Sequence, residues 1–214
     1  MSRIVVINPN SSTAVSASMR ACLTDVIAGT QHDIEVTELA SAPPGIDTDE
    51  HVREVIPLVV ERIANDGADA FVIACFSDPG LAQARHATAR PVVGIAESAY
   101  LTALSLGGRF GIVSLGPSSI ARHARYLDTL SLTPRLAADI SIDMTVEQLM
   151  RTDVMETLAA AGRQLRDTHG ADVVILGCAG LGRYRAALQA ELGIPVVDPV
   201  QAGVALAARA VVSA

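Results

Sequence analysis

Short apolar runs alternate along this chain with longer stretches in which apolar residues recur at helical spacing. In the first half the pattern predicts strands at residues 4–7, 34–36, 70–74 and 92–93, and helices near residues 12–28, 50–65, 80–88 and 97–105. In the second half it predicts strands near residues 110–114, 135–141, 172–177 and 195–197, and helices near residues 119–131, 146–168, 182–192 and 199–212. Such alternation predicts parallel sheets joined by right-handed crossovers.

The second half of the chain repeats the first. GADAFVIAC, which ends at Cys75, returns as GADVVILGC, which ends at Cys178; RPVV returns as IPVV, and RIVVINPNSS returns as RFGIVSLGPSS. Three matches at nearly one offset are typical of an internal duplication. We therefore predict two homologous α/β subdomains, each a parallel four-stranded sheet flanked by helices. The first covers residues 1–105, with a final helix that can cross to the other half, and the second covers residues 106–214.

Composition narrows the class of protein. Half of the residues are apolar, only 3% are aromatic and Trp is absent, so the core is predicted to be aliphatic, as in buried parallel sheets. The net charge of −7 and the lack of a basic run exclude a nucleic-acid-binding surface. The N-terminal MSRIVVINPNSS is too short to span a membrane and lacks the layout of a signal peptide. We therefore expect a cytoplasmic protein with reduced cysteines, a small-molecule substrate and no membrane partner.

Two cysteines stand at equivalent positions of the repeat, each directly after a predicted strand. A single cysteine at the end of a core strand is more often inert than reactive. Here, however, ligands are expected beyond the carboxyl ends of the strands, and pseudo-two-fold packing of the halves would bring both strand ends to one cleft. Cys75 and Cys178 are therefore predicted to be a catalytic pair that faces one active site. Cys22 has no counterpart in the repeat and is interpreted as structural.

The segments after the two cysteines read as tight turns that lead into helices. Backbone N–H groups and the partial positive charge at a helix N-terminus are expected to lower the pKa of each thiol and to stabilise an oxyanion. Asp78, in the first of these turns, is expected to cap the helix that follows it.

A mirror-placed pair of thiols suits the removal of a proton from one face of a carbon acid and its return to the other face. The chain contains no CxxC, HExxH, Walker or GxGxxG motif, and its five histidines lack metal-ligand spacing. We therefore predict neither a metal nor an organic cofactor.

Four segments together resemble hydantoin racemases, a group of the aspartate/glutamate racemase superfamily that includes allantoin racemases. The segments are NPNSS at residues 8–12, the stretch that ends in IACFSDPGL at residue 81, GIAE at 94–97 and GCAG at 177–180. The resemblance implies two Rossmann-like subdomains and a cofactor-independent racemase whose acid/base pair is Cys75 and Cys178. It implies 5-monosubstituted hydantoins or allantoin as substrates, and we also expect a homo-oligomer.

The resemblance also implies which residues contact the substrate. By position these are Asn10, Ser77, Pro79, Gly80, Ser118, Ser119, Ala179 and Gly180. Ser118 and Ser119 would hydrogen-bond a ring carbonyl or imide, although capping of the helix that opens the second half is an equal alternative.

The sequence departs from the usual pattern of hydantoin racemases in three places. Ser77 replaces a glycine after the first cysteine, VSLGP follows the first strand of the second half, and the loop at residues 46–51 reads IDTDEH. That loop can cover the substrate, so its change affects substrate identity more than reaction type. His51, in the loop, is expected to be an exposed residue at a helix start.

Other functions remain open from the sequence. The main alternative is a racemase or isomerase of an open-chain acid of the aspartate, glutamate or maleate type. Its relatives follow their cysteines with polar Asn-Thr pairs, whereas this chain has Phe-Ser and Ala-Gly. A decarboxylase of the arylmalonate type keeps one cysteine of the two. A small-molecule-binding module would leave the duplicated cysteine at the strand end unexplained.

Overall fold

The computed structural model describes residues 1–213 and contains two parallel four-stranded sheets. The first sheet has the order β2-β1-β3-β4 and the second has the order β6-β5-β7-β8, so the two orders are equivalent. The first comprises β1 (Arg3–Asn8), β2 (Asp33–Glu38), β3 (Ala70–Ile73) and β4 (Val92–Gly94). The second comprises β5 (Phe110–Ser114), β6 (Leu136–Ser141), β7 (Val173–Leu176) and β8 (Val196–Val197). The predicted fold class and all eight predicted strands are confirmed.

Helices cover both faces of the sheets. They are α1 (Thr13–Cys22), α2 (Thr24–Ala28), α3 (Asp49–Ala64), α4 (Leu81–Ala87), α5 (Ile95–Leu106), α6 (Pro117–Thr129), α7 (Val146–Arg151), α8 (Met155–Asp167), α9 (Arg185–Leu192) and α10 (Pro199–Ser213). Short 3₁₀ helices cover Thr133–Arg135 and Ala179–Tyr184. No helix among residues 1–213 is both long enough and apolar enough to cross a membrane.

Two predicted helices are divided in the structure. The first breaks at Leu23, between α1 and α2, and the second breaks between α7 and α8. At the second break other side chains satisfy the freed backbone groups: the Tyr184 hydroxyl accepts from the Val154 N–H at 3.2 Å, and Arg183 donates to the Thr152 carbonyl at 3.2 Å. Apolar periodicity continues through both segments, so only the tertiary partners reveal the break.

The last helix of each half crosses to the other half. α5, which follows β4, packs against β5, β7 and β8, and α10, which follows β8, packs against β1, β3 and β4. Tyr100 and Ala103 of α5 share a buried cluster with Phe110 and Val173, and Val204 of α10 packs with the first sheet. This exchange joins the sheets into one body and fixes the cleft between them.

Gly203 marks the point where α10 passes closest to its neighbours. A Cβ there would lie 2.9 Å from Ile95 Cγ2 and 3.0 Å from Val72 Cγ1. Gly203→Val is therefore expected to lower the free energy of unfolding by about 1–3 kcal/mol, because extra methyl groups overpack this crossing. Urea denaturation would measure the change against Ala205→Val, at an exposed position of the same helix. Equal stability of the two variants would contradict the close packing.

Candidate active site

A cavity of about 420 Å³ lies at the carboxyl ends of the central strands, where the two halves meet. Both halves contribute to its wall, and Cys75 and Cys178 both line it. Most of the wall is apolar or small, and its polar side chains come from five segments: Asn10, Asp47, Ser77, Ser118, Ser119, Arg122, His123, Asp143, Thr145 and Gln148. A largely apolar cavity with a few converging polar groups is typical of a small-molecule site.

The two cysteines leave their strands by equivalent geometry. The Ala74 N–H donates to the Ile7 carbonyl at 2.8 Å, and the Gly177 N–H donates to the Val113 carbonyl at 2.8 Å. Each of these hydrogen bonds extends a parallel ladder by one residue, so the next residue, the cysteine, is the first one beyond the sheet. A Cβ on Gly177 would lie 2.7 Å from the Val113 carbonyl oxygen, which explains the glycine at this position.

The residue two positions after each cysteine favours the thiolate. At Cys75 the backbone and the hydroxyl of Ser77 lower the pKa of the thiol. At Cys178 the Gly180 N–H lies 3.4 Å from Sγ, and Cys178 occupies the N-cap position of the 3₁₀ helix. All three cysteines are free thiols, so the strand-end pair is not a disulfide.

The N–H groups of the turns lower the thiol pKa values as expected, but burial outweighs them and the net shift is upward. Burial raises the pKa of Cys75 to about 11, although hydrogen bonds from Ser77 and the charge of Arg122 oppose this rise. Burial raises the pKa of Cys178 to about 12, and the charges of Asp47 and Asp198 add to the effect. Desolvation of the thiolate in an apolar cleft therefore outweighs the N–H donors, and both groups rest as thiols at neutral pH.

Five of the eight predicted contact residues line the cavity: Asn10, Ser77, Ser118, Ser119 and Ala179. Pro79, Gly80 and Gly180 are not part of the lining. Gly80 has φ 75°, occupies the N-cap position of α4 and packs on Ile56 of α3. It therefore sets the shape of the turn from outside the cavity lining. Gly180 contributes only through its N–H to the Cys178 sulfur.

Asn10 presents an amide donor to the cavity. Its Oδ1 accepts from Asn8 Nδ2 at 2.9 Å and from the Ser12 N–H at 2.9 Å. Because the oxygen is engaged on both sides, the Nδ2 group is the part of this buried side chain that remains for a ligand carbonyl.

The structure rejects N-capping by Ser118 and Ser119. Gly116 occupies the N-cap position of α6, and the two serines follow within the first turn. The Ser118 hydroxyl donates to the Asp47 carbonyl at 2.7 Å, across the cleft, and Ser119 Oγ accepts from Arg122 Nη2 at 3.0 Å. Both hydroxyls therefore belong to the cavity wall.

Asp78 caps a helix, but not the one that follows it. Its carboxylate accepts from the N–H groups of Ala96 and Glu97, at 2.9 Å each, at the start of α5. Burial raises the pKa of Asp78 to about 7. The carboxyl group occupies the space that a Cβ on Gly94 would need, so the cysteine loop and the start of α5 are locked together.

A mirrored cap lies behind Cys178. Asp198, at the start of α10, accepts from the Val200 N–H at 2.9 Å, and its carboxyl group contacts the position where Gly182 would carry a Cβ. In the second half the aspartate, Asp198, lies at the start of the helix and the glycine, Gly182, lies in the cysteine loop. In the first half Asp78 lies in the cysteine loop and Gly94 lies before the helix. Cys22 packs against the same Gly182, outside the cavity lining, which agrees with its interpretation as structural.

Sequence reasoning missed a polar face of α6 that enters the site. Arg122 and His123 are both buried and line the cavity. His123 Nδ1 lies 2.7 Å from Asp139 Oδ2, and the Ser114 hydroxyl donates to the other oxygen of Asp139 at 2.5 Å. The available signal was helical spacing: Ser119, Arg122 and His123 recur on one face of a helix whose remaining buried positions are apolar.

The loop before α3 reaches over the cleft, as expected from its position. Asp47 Oδ1 accepts from the Val146 N–H at 3.1 Å, and Asp49 forms ion pairs with Arg122 and Arg125 of the second half. His51 lies at the start of α3, half-buried and outside the cavity lining, and its backbone N–H donates to the Thr48 side chain that caps the helix.

Within residues 1–213 no cluster of three His, Cys, Asp or Glu side chains has the geometry of a metal site.

Comparisons with known proteins agree with this arrangement. The chain is 34% identical to a hydantoin racemase from Pseudomonas sp. (strain NS671) over 212 residues, which covers 96% of this chain and 84% of that one. It is 35% identical to a hydantoin racemase from Paenarthrobacter aurescens over 207 residues, covering 94% and 87% of the two chains. The structure of an allantoin racemase from Klebsiella pneumoniae is 30% identical and superposes with a TM-score of 0.92, covering 100% of this chain and 89% of that one.

The resemblance read from the sequence motifs is confirmed over almost the whole length. The pattern that defines the Asp/Glu/hydantoin racemases matches residues 4–207, which include both sheets and both strand-end cysteines. This chain therefore belongs to the Asp/Glu/hydantoin racemase family.

Proposed function

We propose that this protein is a cofactor-independent racemase of 5-monosubstituted hydantoins or allantoin, with Cys75 and Cys178 as its acid/base pair. The observation that carries the proposal is the placement of two duplicated thiols, at equivalent strand ends, on the wall of one small cavity. Relatives that are hydantoin or allantoin racemases support the substrate class.

In the proposed reaction one thiolate removes the proton from C5, and the electron pair of the C–H bond moves toward the C4 carbonyl to give an enolate. The other thiol then donates its proton to the opposite face of C5. Each turnover leaves the first cysteine protonated and the second ionised, so the enzyme is ready for the other enantiomer. Proton exchange with solvent resets the pair.

The cavity offers donors for a ring with two carbonyls. The Asn10 amide and the hydroxyl of Ser119 are available beside the thiols. A donor hydrogen-bonded to the C4 oxygen stabilises the enolate more strongly than the neutral ring, which lowers the barrier to proton removal.

The hydrogen bonds of Arg122 favour a ring substrate over an open-chain acid. Its guanidinium already donates to Ser77, Asp49 and Ser119. A free carboxylate would have to compete with these contacts for a bidentate site.

A panel of allantoin, 5-benzylhydantoin and aspartate, followed by polarimetry, tests the assignment. Racemisation of either ring compound supports it, and racemisation of aspartate alone would contradict it.

The raised thiol pKa values predict an alkaline activity profile. The base must be a thiolate, and the pKa values of Cys75 and Cys178 are about 11 and about 12. We therefore expect kcat/KM to rise about tenfold per pH unit between pH 7 and pH 9. The measurement is the initial rate of optical change, corrected for spontaneous racemisation. Dialysis against a chelator is expected to leave the rate unchanged. A flat profile in this range would show that the base ionises well below pH 7.

A further inference from the structure

We propose that His123 is a substrate-binding residue whose Nε2 accepts a hydrogen bond from a ring N–H of the hydantoin. The inference rests on the proposed function and deepens it, because it names a group that recognises the nitrogens of the ring and not only its acidic carbon. His123 lies in the wall of the cavity that also contains Cys75 and Cys178.

One nitrogen of the His123 ring is engaged inside the protein. Nδ1 lies 2.7 Å from Asp139 Oδ2 and 3.2 Å from Ser114 Oγ. The Ser114 hydroxyl donates to the other oxygen of Asp139, so its hydrogen is not available to Nδ1. Both neighbours of Nδ1 are therefore acceptors, and the one hydrogen of a neutral imidazole is placed on Nδ1. Nε2 is then left as an acceptor.

The imidazole of His123 is held in one orientation. Only 3% of its side chain is exposed, and the side chain of Asp139 is equally buried. The Phe76 ring packs edge-on against the imidazole, with the ring centroids 4.9 Å apart and the planes at 88°. An aromatic ring on one side and a buried carboxylate on another leave the imidazole no room to turn Nδ1 toward a ligand.

Nε2 of His123 has no partner within the protein. Among residues 1–213, both hydrogen bonds of His123 involve Nδ1. Nε2 is also absent from the side-chain atoms that are sealed in the interior without a partner, which are His32 Nδ1, Glu38 Oε2, Tyr100 Oη and Asp198 Oδ2. Because the residue is only 2% exposed, Nε2 opens to a cavity and not to the protein surface. An unpaired acceptor in such a place is suited to a donor from a ligand.

His123 also borders a smaller cavity of about 270 Å³ on the outer side of the same wall. That cavity is lined by Arg122 and Arg125, whose guanidinium groups only donate. A ligand there would have to present acceptors to the arginines, which leaves Nε2 without a donor. The cavity that contains the two thiols is therefore the better match for Nε2.

The acceptor on His123 complements the donors in the active-site cavity. Asn10 Nδ2 and the Ser119 hydroxyl can donate to the two ring carbonyls, but the ring also carries two N–H groups, and a buried N–H needs an acceptor. Asp47 is the other candidate, although its Oδ1 already accepts from the Val146 N–H. A neutral imidazole, unlike the Asp47 carboxylate, adds no negative charge beside the enolate that forms.

Two substitutions separate the contact with the ligand from the contact with Asp139. The amide nitrogen of asparagine matches the position of Nδ1, so His123→Asn keeps a donor to Asp139 and deletes the acceptor at Nε2. The longer glutamine reaches the position of Nε2, so His123→Gln keeps an acceptor there and deletes the donor to Asp139.

His123→Asn is expected to raise KM for 5-benzylhydantoin about fivefold and to change kcat by less than about twofold, because it removes a contact made equally in the ground state and the transition state. KM of His123→Gln is expected to lie about threefold or more below that of His123→Asn. His86→Asn is the matched control. It replaces an exposed imidazole whose Nδ1 also lies 2.7 Å from an oxygen, outside the cavity lining, and is expected to leave KM unchanged.

Methylation of the ring nitrogens tests the same contact from the side of the substrate. The 1-methyl and 3-methyl derivatives of 5-benzylhydantoin each lack one N–H. With the wild-type protein, at least one of them is expected to lose about fivefold in kcat/KM relative to the parent compound. With His123→Asn that loss is expected to shrink to less than about twofold, because the acceptor that the N–H served is gone.

Nitrogen-15 NMR of the histidine rings reads the same contact without turnover. Hydantoin itself is the probe, since it has no stereocentre and undergoes no net reaction. The other four histidines lie outside the cavity lining, so the ring that responds to hydantoin is expected to be His123. Its Nε2 is expected to be unprotonated in the free protein and to change its chemical shift on saturation with hydantoin.

Three outcomes overturn the inference. They are a KM of His123→Gln equal to or above that of His123→Asn, equal losses on methylation in the wild-type protein and His123→Asn, and a histidine Nε2 that does not respond to hydantoin. If neither variant folds, the spectra of the wild-type protein decide. Failure of the proposed function would instead appear as hydantoin binding that perturbs His123 Nε2 in a protein that racemises no 5-substituted hydantoin.

Discussion

Replacing Cys178 by Ser is expected to reduce kcat/KM for hydantoin racemisation by about 10³-fold or more. A serine hydroxyl is a far weaker acid and base than a thiol, so the variant loses proton transfer on one face of C5, and general acid–base catalysis contributes about 10²–10⁴-fold. Cys75→Ser is expected to cause a loss of the same order, because the two residues occupy equivalent strand ends and line the same cavity.

Cys22→Ser is the control for these variants. Cys22 is a free thiol outside the cavity lining, and its substitution is expected to change kcat/KM less than twofold, on the order of an ordinary conservative change away from the chemistry. Polarimetry with each pure enantiomer measures all three variants. Near-normal activity in either strand-end variant would exclude a reaction that needs both thiols.

Asp78→Ala is expected to have the largest effect on stability, a loss of about 2–4 kcal/mol in the free energy of unfolding. The substitution leaves the N–H groups of Ala96 and Glu97 without their acceptor inside the protein and loosens the join between the cysteine loop and α5. Because α5 packs on the opposite sheet, the damage extends to both halves. Urea denaturation measures the change, with the exposed Asp128→Ala as control.

The loss in Asp78→Ala is expected to depend on pH. Burial raises the pKa of Asp78 to about 7 in the folded protein, whereas an aspartate in an unfolded chain titrates near about 4. The folded state therefore holds the proton more tightly. Its contribution to stability is complete below about pH 4 and declines as the pH rises through about 7. The difference between wild type and variant should be larger at pH 5 than at pH 8, and the opposite order would show that the buried carboxyl is ionised throughout.

The fold and the meeting of Cys75 and Cys178 in one cavity could be predicted from the sequence because both depend on patterns that are local or duplicated. The strands β3 and β7 are buried along their full length, so each reads as an unbroken apolar run, and each cysteine follows at the same spacing. The duplication then supplies what one run cannot, namely that the two strand ends share one cleft.

The rest of the site depends on contacts between distant segments. Arg122 reads as a surface residue of an amphipathic helix, and only the packing of α6 against the first cysteine loop buries it. Asp78 reads as a cap for α4, but the approach of Gly94 directs it to α5. The net direction of the thiol pKa shifts could not be predicted from the sequence for a similar reason. Sequence shows the N–H donors of a turn, whereas the desolvation that outweighs them comes from the whole cavity wall.

The central claim is that the two thiols serve opposite faces of one carbon, and hydrogen exchange tests it most directly. Cys75→Ser and Cys178→Ser would each be incubated in deuterated water with each pure enantiomer of 5-benzylhydantoin, and deuterium at C5 would be followed by NMR against an enzyme-free control. Each variant keeps one thiol, so each is expected to exchange the C5 proton of one enantiomer without racemising it, and the two variants are expected to choose opposite enantiomers. Exchange of the same enantiomer by both variants, or racemisation by either, would contradict the account.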